Sequence, residues 1–110
     1  MSKYYKLDKI REISGGDESF VKEMVDLFLK DVDANREAFN EMFKQDDMDG
    51  IAKRAHKIKP SIDLLGIEII QEDIRELRTE AENQSGNVPE LISKVNEGLQ
   101  KAAEELRKDL

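Results

Sequence analysis

Apolar residues recur three and four positions apart through four long segments of this 110-residue chain, and short runs of turn-forming residues separate the segments. This spacing places the apolar side chains on one face of an α-helix, whereas a strand would need an alternation that the chain lacks. Amphipathic helices joined by short connections predict an all-α protein, an antiparallel up-down four-helix bundle.

Turn-forming and capping residues mark where the predicted helices begin and end. A short additional N-terminal helix at about residues 7–14 stops at the paired glycines Gly15-Gly16, and Asp17 can cap the long helix that follows. Asp46-Asp47 offers caps for the next helix. We expect a single domain over residues 1–110, with the bundle at about residues 17–108.

Each apolar stripe is predicted to face the core, because an amphipathic helix buries its apolar face against its neighbours. We assign no cofactor to these stripes. Along the chain they comprise Leu7, Ile10 and Ile13; Phe20, Met24, Leu27, Phe28, Ala38, Phe39 and Met42; Ile51, Ala55, Ile58, Ile62 and Leu65; Ile67, Ile70, Ile74, Leu77 and Ala81; and Val88, Leu91, Ile92, Val95, Leu99, Ala102 and Leu106.

The chain is acidic, with 18 lysines and arginines against 25 aspartates and glutamates and a formal net charge of −7. This balance disfavours nucleic acid and anionic membranes as partners. The amino terminus lacks the apolar stretch of a signal peptide, no apolar run is long enough to span a bilayer, and no cysteine calls for an oxidising compartment. We therefore expect a cytoplasmic protein.

A local reversal of charge surrounds His56, the only histidine of the chain. Lys53, Arg54, Lys57 and Lys59 all lie within three residues of it. An unperturbed imidazole titrates near neutrality, so it can act as a neutral nitrogen nucleophile. Cations beside such a nucleophile suit a group that must carry an anion.

Helix geometry predicts that His56 faces solvent. At about 100° per residue, it lies about 140° from Ile51, the centre of the apolar stripe on its helix. Lys53 and Lys59, three residues before and after it, can bring ammonium groups to the same surface. A phosphoryl group carried on the ring would meet cations there.

Pro60 lies four residues after His56 and cannot donate a hydrogen bond to the His56 carbonyl. This predicts a bend or a locally opened turn beneath the histidine. The compact ring of the proline, in place of a long side chain, can leave the surface beside His56 accessible to a docking protein. Alternatively, the proline merely bends the helix to fit the bundle.

Two segments of the chain resemble a known family. Ala55-His56-Lys57-Ile58-Lys59, followed by Ser61 and Leu65-Gly66, is similar to the histidine segment of the histidine-containing phosphotransfer (HPt) domain of multistep phosphorelays. Gly15-Gly16-Asp17, with Phe20 and Phe28, is similar to the entry of that family into its long second helix. With the helix order, the resemblance covers nearly the whole chain.

The resemblance implies that His56 accepts a phosphoryl group from an aspartate of one receiver domain and passes it to another. Lys59 matches the lysine that helps to hold the phosphoryl group. Pro60 departs from the family, which usually has a glycine at this position. A polar side chain of the next helix often lies near the histidine in this family, and Arg75 or Arg78 can serve here.

The resemblance also implies a phosphocarrier and not an enzyme, which agrees with the lack of a Gly-rich phosphate loop or other nucleotide-binding motif. No cofactor is expected on this domain, and Mg²⁺ is expected on the receiver. The expected partners are response-regulator receiver domains, with the chain a monomer that is either free or part of a hybrid sensor histidine kinase. Helix geometry suggests that the receiver contacts Ala52, Lys53, Lys57, Pro60 and Asp63.

Two other functions compete with phosphotransfer as explanations of this sequence. A carboxylate-bridged metal enzyme in a bundle needs pairs of Glu-x-x-His, but Lys53 stands three residues before the only histidine, so we expect no metal site. The alternative that stays open is a non-catalytic helical module that binds a partner without phosphotransfer.

Overall fold

A computed structural model describes residues 4–109, and these residues are helical throughout apart from short connections. Residues 1–3 and 110, which the expected domain of residues 1–110 includes, lie outside the described part. The predicted all-α bundle with a short N-terminal helix is confirmed. The helices are α1 (Asp8–Ile13), α2 (Glu18–Lys44), α3 (Met48–Leu64), α4 (Gln71–Glu82) and α5 (Val88–Asp109), with one 3₁₀ turn (Glu68–Ile70) before α4.

Aspartate caps begin α2 and also α3, the helix that carries His56. Asp17 accepts hydrogen bonds from the backbone N–H groups of Ser19 and Phe20 at 3.0 and 3.3 Å, as predicted. Of the pair Asp46-Asp47, Asp47 caps α3 by accepting from the N–H of Gly50 at 2.9 Å. Each cap satisfies backbone donors that have no partner within the first helical turn, so the start of α3 is fixed nine residues before His56.

The core confirms most of the predicted stripes and corrects two positions. Ile13 is 62% exposed and Leu27 is 53% exposed, so their predicted burial was wrong. In α2 the buried face is set by valines, and Leu27 lies about 100° around the helix from Phe28. The buried side chains of α2 are Val21, Val25, Phe28, Val32 and Phe39.

The helices α2 and α4 flank α3, and α5 packs against both α2 and α4. The molecule is 42 Å long and 23 × 21 Å across, and at about 1.5 Å per residue α2 alone spans most of that length. None of the helices within residues 4–109 combines the length and the apolar character needed to cross a membrane. The arrangement leaves the outer face of α3 open between its two neighbours.

Candidate functional site

His56 lies on the outer face of α3. The side chains of Ile51, Ala55, Ile58 and Ile62 on the same helix are buried, whereas His56 is exposed. The predicted exposure of the ring is therefore confirmed. The apolar stripe fixes the rotation of α3 about its axis, because turning His56 inward would bring the stripe to the surface.

Arg78 of α4 contacts the imidazole directly. Its guanidinium Nη1 lies 2.8 Å from Nδ1 of His56. The other side of the guanidinium faces Glu82, with 4.0 Å between Nε and the carboxylate oxygen Oε2. The sequence left Arg75 and Arg78 as alternatives for a side chain near the histidine, and Arg78 is the one in contact.

Arg75 is engaged by a different residue. Its guanidinium forms an ion pair with Glu72, one turn earlier on α4. The hydrogen bond from Arg75 lowers the pKa of Glu72, and the same bond raises the pKa of Arg75. Arg75 still borders the histidine, because both residues line a shallow pocket between α3 and α4, here called the α3–α4 pocket. Its lining is Ala55, His56, Lys59, Ile74, Arg75, Arg78, Thr79 and Glu82.

Lys59 also lines the α3–α4 pocket, one turn after His56. Its ammonium Nζ lies 2.6 Å from Oδ2 of Asp63, in a pair that is 37% and 28% exposed at the two side chains. An ammonium has three N–H donors, so Lys59 can hold Asp63 and still donate to a second anion. Asp63, expected at the docking surface, is half-buried and positions this lysine.

The structure supports an exposed face around His56 and removes one residue from it. Lys53, Lys57 and Pro60 are exposed, and Lys53 pairs with Asp49 at 2.9 Å. Ala52 is 5% exposed, so its predicted place on the docking surface was wrong. At about 100° per residue Ala52 falls on the side of α3 that packs against α4, the helix with which α3 makes its most extensive contact.

Pro60 lies within α3, which continues without interruption from Met48 to Leu64. The helix is therefore not ended by the missing N–H of Pro60, and the predicted bend beneath His56 stays a prediction. The ring of Pro60 is exposed one turn after the histidine.

A second concavity, between α2 and α3, was missed by sequence reasoning. We call it the α2–α3 groove; it is lined in part by Met24, Leu27, Lys57, Ser61 and Leu64. The signal was present in the sequence, because Leu27 is apolar, but it was assigned to the core. The groove lies on the opposite side of the outer face of α3 from the α3–α4 pocket.

Comparison with models of protein families identifies the family of this chain. The model of the Hpt domain family matches residues 23–109, which is most of the chain and covers all of α3 and α4. The chain belongs to the Hpt domain family. Hpt domains carry out histidine phosphotransfer in phosphorelays, as intermediates and not as kinases, and they need no cofactor of their own. Their partners are receiver domains.

Searches of curated proteins and of solved structures gave no significant match. The roles of individual residues in this Hpt domain therefore rest on its own geometry.

Proposed function

We propose that His56 is the residue that carries the phosphoryl group. The observation that carries this proposal is that a histidine phosphotransfer domain needs a histidine, and this chain has one. Its exposure makes the ring accessible to a second protein. Since Arg78 contacts Nδ1, Nε2 is the nitrogen that remains to bond phosphorus.

The chemical step is an in-line transfer between a carboxylate and an imidazole. The lone pair of Nε2 forms the N–P bond while the P–O bond to the receiver's aspartate breaks, and the electron pair of that bond leaves with the carboxylate. A loose transition state places negative charge on the phosphoryl oxygens, which cations stabilise. We propose that the receiver supplies Mg²⁺ and that this Hpt domain supplies the nucleophile and nearby cations.

Lys59 is the cation best placed to hold the transferred group. It borders the same pocket as His56 and retains free donors while bound to Asp63. Arg75 borders the pocket but is tied to Glu72. In this proposal Lys59 contacts the phosphoryl oxygens, and Asp63 keeps the lysine extended beside the ring.

The receiver docks on the outer face of α3 and extends over the α2–α3 groove. Lys53, Lys57 and Pro60 contribute the exposed side chains around His56. Met24 and Leu27 of the groove add apolar surface, and Leu27 is 53% exposed although it is a large apolar residue. An apolar patch with a polar rim is typical of surfaces that bind another protein.

The domain acts, in our proposal, as a monomer of residues 1–110 in the cytoplasm, either free or within a hybrid sensor histidine kinase. Its net charge of −7 disfavours nucleic acid and anionic membranes as further partners. Its immediate partners would be two receivers, one that donates and one that accepts the phosphoryl group.

Transfer of labelled phosphate from a receiver already phosphorylated on aspartate tests this function. We expect the parent chain to acquire phosphate that is labile in acid and stable in base, the signature of a phosphoramidate. His56→Gln should acquire none, whereas Ser93→Gln, which places the same residue at an exposed position on α5, should be labelled like the parent. Labelling of His56→Gln would show that another residue is phosphorylated, and an unlabelled parent would favour a non-catalytic interaction module.

A further inference from the structure

The contact between Arg78 and His56 determines which ring nitrogen carries the proton. A guanidinium is a charged group that has only N–H donors and no acceptor. At 2.8 Å from Arg78, Nδ1 must therefore accept the hydrogen bond through its lone pair. A neutral imidazole carries one proton, so the proton lies on Nε2.

This tautomer is the unreactive one for phosphoryl acceptance at Nε2. A nitrogen that carries a proton in the neutral ring has no lone pair in the ring plane to attack phosphorus. The reactive tautomer has the proton on Nδ1 and the lone pair on Nε2. Arg78 disfavours that form, since an N–H at Nδ1 would point at the N–H of the guanidinium.

We propose that Arg78 gates His56. It is a positioning residue that holds the unphosphorylated ring in the unreactive tautomer, and it protects the phosphorylated ring from protonation at Nδ1. This inference rests on the proposed function of His56 as the phosphoryl carrier. Arg78, on the neighbouring helix, would then control when His56 reacts and how long its phosphate lasts.

The proposed transfer needs no reactant besides the phosphorylated receiver and water. Arg78 leaves Nδ1, and water moves a proton from Nε2 to Nδ1. The Nε2 lone pair then bonds phosphorus as the carboxylate of the receiver leaves. The product is a phosphoimidazolium, which loses its Nδ1 proton to water, and Arg78 donates to the exposed lone pair again.

The restored contact slows loss of the phosphate. When the P–N bond breaks, its electron pair goes to Nε2, and the departing ring is a neutral imidazole only if Nδ1 already holds a proton. Without that proton the departing group is an imidazolide anion, which is a far poorer leaving group. A cation that donates to Nδ1 competes with the proton for the same lone pair.

Arg78 contacts the ring directly, whereas the two other cations that line the α3–α4 pocket are paired with carboxylates. Lys59 is paired with Asp63 on α3, and Arg75 is paired with Glu72 on α4. Glu82 lies 4.0 Å from Nε of Arg78 and offers an alternative partner one turn along α4. A small shift of the guanidinium from His56 toward Glu82 would open the gate when a receiver binds.

Nitrogen-15 NMR of the imidazole tests the tautomer directly, and a single histidine gives a spectrum with one ring. At a pH at which the ring is neutral, we expect the parent to carry its proton on Nε2. Arg78→Glu, whose carboxylate accepts from an N–H, should move the proton to Nδ1, and Arg78→Met should lie between them. Arg75→Met removes the same charge from the same helix and should leave the spectrum of the parent unchanged.

The proposed role of Arg78 is wrong if the parent ring carries its proton on Nδ1, or if Arg78→Glu and the parent give the same tautomer. This measurement needs no receiver. It therefore decides the tautomer even if the phosphotransfer assay fails.

Transfer kinetics test the consequence for function. We expect Arg78→Glu to accept phosphate from a phosphorylated receiver about three- to tenfold faster than the parent, because one charged hydrogen bond at a partly exposed site no longer opposes the reactive tautomer. Its phosphohistidine should be lost correspondingly faster below pH 7, and the pH profile of this loss should be displaced to higher pH. Slower acceptance with an unchanged pH profile would instead make Arg78 a cation that binds the phosphoryl group, and would overturn the gate. If no variant accepts phosphate, the proposed function fails and the gate fails with it.

Discussion

At the scale of single residues, two carboxylates decide which cations are available beside His56. Asp63 holds Lys59 at 2.6 Å, and Glu72 holds Arg75 on the next helix. Asp63 takes one of the three N–H donors of Lys59, so the remaining donors can reach a phosphoryl group on His56. Asp63 therefore positions the lysine, although it does not itself touch the imidazole in the proposed mechanism.

Effects of the same sign but different size on the lifetime of the phosphohistidine are expected when the two members of this pair are changed. Lys59→Ala should shorten the lifetime of the phosphohistidine about three- to tenfold, since a charged contact to the phosphate is lost. Asp63→Asn should shorten that lifetime by less than Lys59→Ala does, because the lysine stays but a carboxylate no longer holds it beside the ring. The decay of acid-labile label at constant pH measures both, with helical circular dichroism as the control for folding. A longer lifetime in Lys59→Ala would remove the lysine from the phosphoryl site.

The sequence could predict where His56 points but not which arginine meets it. Exposure of the ring follows from the periodicity of its own helix, and that periodicity is local information. The choice between Arg75 and Arg78 depends on how α4 is rotated and shifted against α3, which only packing decides. The burial of Ala52 was missed for the same reason, because it depends on the side from which α4 approaches.

At the scale of the helices, α2 shows how an apolar pattern can be assigned to the wrong face. Met24 and Leu27 follow helical spacing as well as Val25 and Phe28 do, so two apolar faces overlap along one helix. The valine face is buried, and the other face is left half-exposed beside α3. Met24 and Leu27 were assigned to the core, and the α2–α3 groove, one part of the proposed docking surface, was therefore missed.

The contact between α5 and the 3₁₀ turn is set by a glycine. A Cβ added at Gly98 would lie 2.2 Å from Cγ2 of Ile70. Gly98→Ala should therefore destabilise the fold by about 1–2 kcal/mol, since overpacking outweighs the better helix propensity of alanine. Urea unfolding measures this difference. Gly86→Ala is the control, because nothing lies within 4 Å of its added Cβ. A Gly98→Ala chain as stable as the parent would contradict the close approach of α5 to Ile70.

At the scale of the whole molecule, the segment before α1 ties the two ends of the chain together. The backbone N–H of Lys6 donates to the carbonyl of Leu65 at 2.9 Å, where α3 ends. Tyr5 is 8% exposed, and its hydroxyl donates to Asp109 at the end of α5, at 2.9 Å. The segment thus fixes the end of α3 against the end of α5.

Alkaline pH should loosen this connection through Tyr5. Burial, with the hydrogen bond to Asp109 and the negative charge of that carboxylate, raises the pKa of Tyr5 from 10.0 to about 12. The folded state therefore keeps the phenol proton that the unfolded chain loses, so the contribution of Tyr5 to stability is complete below pH 10 and is lost as the pH rises toward 12. Across that window the loss is at most about 1.4 kcal/mol per pH unit.

Tyr5→Phe should be less stable than the parent at neutral pH, and the difference in unfolding free energy should shrink between pH 10 and 12, because phenylalanine has no proton to lose. Urea unfolding of both chains at a series of pH values measures this difference; a gap that stays constant would show that the phenol of Tyr5 is not linked to folding.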